Sequence, residues 1–209
     1  MTTRRRPRNA ALTIRSILDV ARSVFAQHGF AGTALELVEK QSGVSKGLIL
    51  HHFGSKLGLY EAVLEDAAED YTAWLKRGAA FDAPFPELMR GTIRASYRYY
   101  KAHADMRRLR AWAQLQAVPF LNDTEERFTR ALVDAVARAQ AAGIVRADIT
   151  AVQVPFLIRA VIDYRLGNLA LVRRIEREQG LKGKRAEDQF VETLCRLFLV
   201  SPAPKETNR

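Results

Sequence analysis

The chain has one cysteine, Cys195, in 209 residues, which excludes an internal disulfide framework and fits a reducing compartment. No apolar run approaches the roughly 18 residues that a membrane-spanning helix needs. The basic start Arg4-Arg5-Arg6-Pro7-Arg8 is followed by no apolar h-region, so a secretory signal peptide is not expected. The GxxxxGK[ST] order of a phosphate loop is missing. So is the strand-to-helix turn on which a GxSxG elbow would expose a serine nucleophile. Neither convincing period-two alternation nor internal repeats are found. These absences leave an all-α, soluble, cytoplasmic protein as the expectation, with no membrane partner, no cofactor and no catalytic residue.

What is present is positive charge and a large apolar fraction. Lys and Arg number 33 against 23 Asp and Glu, for a net charge of +10 and a pI near 10.1. A surplus of that size calls for an acidic partner. Residues 1–60 hold nine Lys and Arg against three Asp and Glu, so +6 of the +10 sits in that stretch. Hydrophobic residues make up 48% of the chain, enough for a folded core.

Helical spacing runs almost throughout. Ile14, Ile17, Leu18, Ala21, Val24 and Phe25 define a first helix that should stop near His28-Gly29. Thr33-Ala34-Leu35-Glu36 has the capping-box pattern and predicts a second helix from Thr33 to about Gln41. Ser45 should cap a short third helix reaching His51, and Ser55 a long fourth one. Further helices are expected at about 86–103, 105–118, 124–142, 149–177 and 187–200. Pro119–Asp123 and Gly143–Asp148 punctuate them. The organisation that follows is a basic arm (1–11), a short-helix domain (12–60), a long-helix domain (61–200) and a loose tail (201–209).

The stretch Ser42-Gly43-Val44-Ser45-Lys46-Gly47-Leu48-Ile49-Leu50-His51-His52-Phe53-Gly54-Ser55-Lys56 carries the functional signal. His51 and His52 are sequence neighbours, about 100° apart on a helix, and cannot chelate one metal from one face. A helix, a three-residue turn holding Gly43, and a helix from Ser45 outline a helix-turn-helix. In such a unit the N-terminal residues of the second helix meet the major groove, which places Lys46, Gly47 and Leu48 nearest base edges. Lys56 opens the following helix, where an ammonium and free backbone N–H groups suit a phosphate. A sequence-independent DNA-organising protein and a helical metalloenzyme using His51 or His52 are the competing readings.

Gly43-Val44-Ser45-Lys46-Gly47, His51-His52-Phe53-Gly54-Ser55-Lys56 and Leu59-Tyr60 resemble the TetR family of bacterial repressors. So do Ile17-Leu18-Asp19-Val20-Ala21, Phe25, Gly29-Phe30 and Thr33. The resemblance covers about residues 12–64. It implies a three-helix DNA-binding domain and a C-terminal helical domain that dimerises and holds an effector. The DNA-contacting set it implies is Thr33, Ser45, Lys46, Gly47, Leu48, His51 and Lys56. The chain departs from the family pattern at Leu50, where a phosphate-contacting tyrosine is usual, and at Val38-Glu39, where Ile-Ala is usual. Glu39 there implies altered packing, or an ion pair with Lys40 or an arginine of the first helix.

Beyond residue 64 the sequence is less specific. The acidic run Glu61, Glu65, Asp66, Glu69, Asp70 reads as the wet face of the fourth helix. Met89, Tyr97, Trp112 and Phe156 are the candidate lining of an apolar effector pocket. Val152–Leu171 is apolar almost all round. With Phe190, Leu194, Leu197 and Phe198 it predicts a homodimer through helices near 149–177 and 187–200. The expected partners are therefore a double-stranded DNA operator, a second copy and a small-molecule effector.

Overall fold

The structure, a computed structural model, describes residues 6–80, 82–116 and 123–200, with the side chains of 6–9 excepted. Arg4 and Arg5 of the arm, Pro119–Asn122 and the tail 201–209 lie outside the described residues. Among the described residues there are ten helices and no strand. They are α1 (Arg6–Gly32), α2 (Leu35–Ser42), α3 (Lys46–Phe53), α4 (Lys56–Gly78) and α5 (Phe85–Ala102). They continue as α6 (Ala104–Leu115), α7 (Asp123–Ala141), α8 (Gln153–Gly167), α9 (Leu169–Glu178) and α10 (Gly183–Phe198). The all-α expectation holds. The basic arm differs, because helical backbone already begins at Arg6.

Two compact units form. One comprises Met1–Tyr71 and His103–Glu125, the other Thr72–Ala102 and Glu126–Arg209. They divide differently from the 12–60 and 61–200 partition read from the sequence: the chain crosses within α4, and α6 belongs with the first unit.

In the first unit, Ile17, Ala21, Val24 and Phe25 of α1 are buried with Val38, Ile49, Leu59, Tyr60 and Val63. The Phe25 and Tyr60 rings meet edge-on at 4.8 Å, and Phe30 tilts against Tyr60 at 5.3 Å. Such pairs add about 1 kcal/mol beyond area burial. Polar clamps join the same helices. Arg15 of α1 pairs with Asp66 of α4 at 2.5 Å. The nearly buried Arg22 reaches both Asp70 at 2.9 Å and Asp105 of α6 at 2.5 Å. Asp66 and Asp70 are therefore not merely a solvated face; they tie α4 to α1.

Gly29 breaks α1 with φ 70° and ψ 177°, a conformation that L side chains rarely adopt. A Cβ there would lie 2.8 Å from Trp112 ring carbons of α6. Gln116 accepts from the Phe30 backbone N–H at 2.9 Å. The stop expected near Gly29 is thus real as a break, although one more helical turn follows it.

In the second unit α5 and α10 pack against each other. Val191, Leu194, Cys195 and Phe198 of α10 are buried. An antiparallel ladder of ion pairs flanks that contact: Arg90–Glu192 at 3.0 Å, Arg94–Asp188 at 2.9 Å and Arg98–Glu187 at 2.5 Å. This corrects the sequence reading of α10, whose Leu194 and Phe198 serve the unit's own interior, leaving Leu197 outside. The single helix expected over 149–177 is also two, parted at Asn168 (φ −107°, ψ 21°). A short antiparallel bridge, with Arg146 N–H donating to Phe198 O and Val200 N–H to Ile144 O at 2.9 Å each, ties the end of α10 to the turn after α7.

Burial pushes the Cys195 thiol up to about 11, with nearby Glu192 adding to the rise. The thiolate is the reactive form. Native protein at pH 8 should therefore react with a thiol reagent at well under a hundredth of the rate of urea-unfolded protein; a comparable rate would mean that α10 opens freely.

Candidate nucleic-acid interface

Gly43 (φ 70°, ψ 8°) closes α2, its N–H returning to Glu39 O at 2.9 Å. A left-handed residue at that point reverses the chain within three residues, so α3 starts at Lys46. Ser45 caps α3, its hydroxyl accepting from Leu48 N–H at 3.3 Å. Gly43-Val44-Ser45-Lys46-Gly47 does spell Gly-x-Ser-x-Gly, but the run joins two helices and the Ser45 hydroxyl serves as a cap. Ile49 is fully buried and anchors α3. The opposite side of α3 is open: Ser45, Lys46, Gly47, Leu48 and His51 are all exposed, Leu48 by 40%. Nothing lies within 4 Å of the position a Gly47 Cβ would take.

Glu39 departs from its expected partners. Its carboxylate accepts from the Lys46 backbone N–H at 3.0 Å, satisfying one of the donors that the start of α3 leaves open. The Lys46 ammonium lies 2.7 Å from Glu36. That contact holds the Glu36 carboxyl below its ordinary pKa and raises the Lys46 ammonium above its own.

Thr33 is the clearest correction. The cap of α2 is Ala34, with no side-chain bond, and the Thr33 hydroxyl donates to Gly29 O at 2.7 Å. At 2% exposure Thr33 offers nothing to a ligand; it staples the end of α1.

Ser55 caps α4, accepting from Gly58 N–H at 3.0 Å. Lys56 follows at once, its ammonium 4.6 Å above the Phe30 ring and 3.4 Å from Ala31 O. The aromatic cluster of Phe25, Phe30 and Tyr60 thus props the lysine that opens α4. Gly58 escaped the sequence reading: a Cβ there would fall 2.2 Å from Phe53 O, so α3 and α4 touch backbone to backbone. His52 and Phe53 are half-buried, their rings 6.3 Å apart, and seat the end of α3.

The four candidate pocket residues part company. Trp112 packs against Gly29 in the first unit. Met89 and Tyr97 are buried on α5 in the second, where Tyr97 meets Phe190 at 5.3 Å. Phe156 is 52% exposed on α8 and lines no interior. An open concavity of about 240 Å³ lies elsewhere in the second unit, bounded by Phe85, Leu88, Ala139, Ala142 and Ile144, with Arg138 the charged group on its wall.

Two short helices meeting at a glycine turn, with the second one open to solvent along its first turn and a half, define a helix-turn-helix protein. Residues 17–63 match the family described as "Bacterial regulatory proteins, tetR family", and residues 90–192 match "Tetracyclin repressor-like, C-terminal domain". The chain belongs to the TetR family. It is 34% identical over 135 residues to the HTH-type transcriptional regulator RutR of Escherichia coli K12, covering 64% of this chain and 62% of that protein. It therefore spans a little under two thirds of that relative. It is 27% identical to the HTH-type transcriptional repressor SCO4008 of Streptomyces coelicolor, over 75% of this chain and 80% of the relative. The fold also matches the crystal structure of the transcriptional regulator SCO4942 from Streptomyces coelicolor, with a TM-score of 0.70, 24% identity, and coverage of 92% and 99%.

Proposed function

We propose that this chain is a ligand-responsive transcriptional repressor that binds a two-fold symmetric duplex operator as a homodimer. The observation that carries the reading is the capped, solvent-open start of α3 beside the propped lysine of α4. Lys46, Gly47 and Leu48 meet base edges. Ser45, His51 and Lys56 meet the backbone, His51 standing in for the hydroxyl that Leu50 lacks. Thr33 drops from the contact set and acts only through the end of α1.

Support for a second copy comes from α8, which is turned inside out. Its two arginines look inward: Arg159 donates to the Tyr100 hydroxyl at 2.6 Å, and Arg165 pairs with Glu176 at 2.7 Å and lies 4.5 Å over the Phe190 ring. Its exposed residues are mostly apolar, Phe156, Leu157, Ala160, Val161 and Tyr164 with Gln153 beside them, continuing Val152 just before the helix, and the half-buried Asp163 lies at their edge. A helix that hides arginines and shows phenylalanine is built to be covered. On α9, Leu171 and Ile175 extend the same exposed apolar character, and no α9 residue is buried. The proposed dimer interface is α8 with α9 and the exposed Leu197 of α10, while Leu194 and Phe198 of α10 are buried within the unit.

A small hydrophobic effector binds the C-terminal unit and favours a spacing of the recognition helices that no longer matches major-groove faces about 34 Å apart. The test separates backbone from base contacts. Lys56→Ala should weaken binding to operator and to scrambled duplex alike, by about ten-fold, and flatten the salt dependence by about 0.9 in slope, one phosphate contact. Leu48→Ala should instead narrow the preference for operator, since its side chain is placed against a thymine methyl. Equal losses on both duplexes for Leu48→Ala would remove it from base reading.

A further inference from the structure

The one surface that must approach a polyanion carries two carboxylates. Glu36, in the first turn of α2, holds the Lys46 ammonium at 2.7 Å, and Glu39 holds the Lys46 backbone N–H at 3.0 Å. Glu39 has a structural reason, since it caps α3. Glu36 has none of comparable weight. Its side chain is 62% exposed and that of Lys46 is 46% exposed, and ion pairs so placed add little to stability.

Consider what the pair does beside DNA. If Lys46 swings to a phosphate, Glu36 is left unpaired within a Debye length of other phosphates, about 10 Å at 0.1 M salt, and the repulsion offsets the gain. As a charge, the pair is worth almost nothing to arbitrary duplex. As a hydrogen-bonding unit it is well matched to one partner. An ammonium has three donors and spends one on Glu36, and a carboxylate keeps free lone pairs while accepting from lysine. Donor and acceptor thus stand side by side at the open end of α3. In the major groove a G·C pair offers the complementary set, acceptors O6 and N7 on guanine next to the N4 donor of cytosine.

We propose that Glu36 and Lys46 act as one recognition unit, which reads a G·C pair in each operator half-site and suppresses attachment to unrelated duplex. The inference rests on the placement of α3 in the major groove argued above. It makes Glu36 a specificity-determining residue on the first helix of the motif rather than on the recognition helix.

The experiment selects duplexes from a random library with the wild-type protein. It then measures binding of wild type, Glu36→Gln and Glu39→Gln to a selected duplex, to the same duplex with the conserved G·C changed to A·T, and to a scrambled one. Wild type should lose about ten-fold on the G·C to A·T change, and Glu36→Gln less than two-fold. Glu36→Gln should also hold the scrambled duplex about five-fold tighter at 0.1 M salt, with a salt slope steeper by about 0.9. Glu39→Gln should lower the melting temperature while keeping the G·C preference. The inference is overturned if Glu36→Gln discriminates between the three duplexes as wild type does. If wild type enriches no sequence, the groove placement of α3 falls first, and the inference with it.

Discussion

Phe156→Glu should turn the protein into a monomer that still folds. Phe156 stands on the mostly apolar outer side of α8 and is 52% exposed. Burying the remainder of a phenylalanine contributes about 1 kcal/mol, and a two-fold interface uses the residue twice. The glutamate does more than forfeit that contribution. It brings a carboxylate among the exposed apolar side chains of α8, at a cost of several kcal/mol for each subunit where it is buried unpaired. Within the subunit little changes, because the buried residues of α8 are Val154, Ile162 and Leu166 on its other side. Sedimentation should show half the wild-type mass, with an unaltered melting temperature at low concentration. Operator binding should fall by about a thousand-fold, since each recognition helix then binds a half-site alone. A dimer that survives Phe156→Glu would move the interface off α8.

Gly58→Ala should be the most damaging small substitution in the DNA-binding unit. The new methyl would begin 2.2 Å from Phe53 O, and a backbone carbonyl has no rotamer by which to yield. The α3–α4 junction must open, at a cost of about 3 kcal/mol, the upper range for overpacking. That shift would also displace Ser55 and Lys56 from their places at the start of α4. The contrast is Gly47→Ala, in open space on α3. There the methyl should add up to about 1 kcal/mol of helix stability and still impair duplex binding by holding the backbone off the bases. Chemical denaturation of both variants, with duplex titrations alongside, checks the pair. A Gly58→Ala protein as stable as wild type would show that the α3–α4 contact relaxes without cost.

Legibility in the sequence followed the reach of each interaction. Ser45, Ser55 and Gly43 were readable because a cap or a left-handed turn is decided within about three residues. The hydrophobic periods of α1 and α4 were readable for the same kind of reason. Thr33 misled: its hydroxyl had two short-range choices, and the break at Gly29 presented a carbonyl four residues back. Glu39 reaches seven residues forward to cap another helix, and Gly58 answers to a carbonyl whose position depends on how two helices pack. Neither is a pattern along the chain. The second unit was least legible. Leu194 and Phe198 of α10 and Phe156 of α8 look alike in sequence, yet the first two are buried within the unit and the third faces outward. An apolar stripe says that burial is wanted, not by whom.

The break at Asn168 separates α9 from α8 and leaves a ten-residue helix with no buried side chain. Such a segment is exempt from the demands of the interior, so substitutions there alter which surface it accepts without unfolding the chain. Where a cell holds several proteins of this architecture, each must refuse the others' subunits, and refusal is written with clashes and mismatched charges. Arg173, Arg174 and Arg177, lying among Leu171 and Ile175, give this chain a ready vocabulary for that exclusion. On the proposed interface, mate choice can thus drift in α9 while the helix-turn-helix stays as it is.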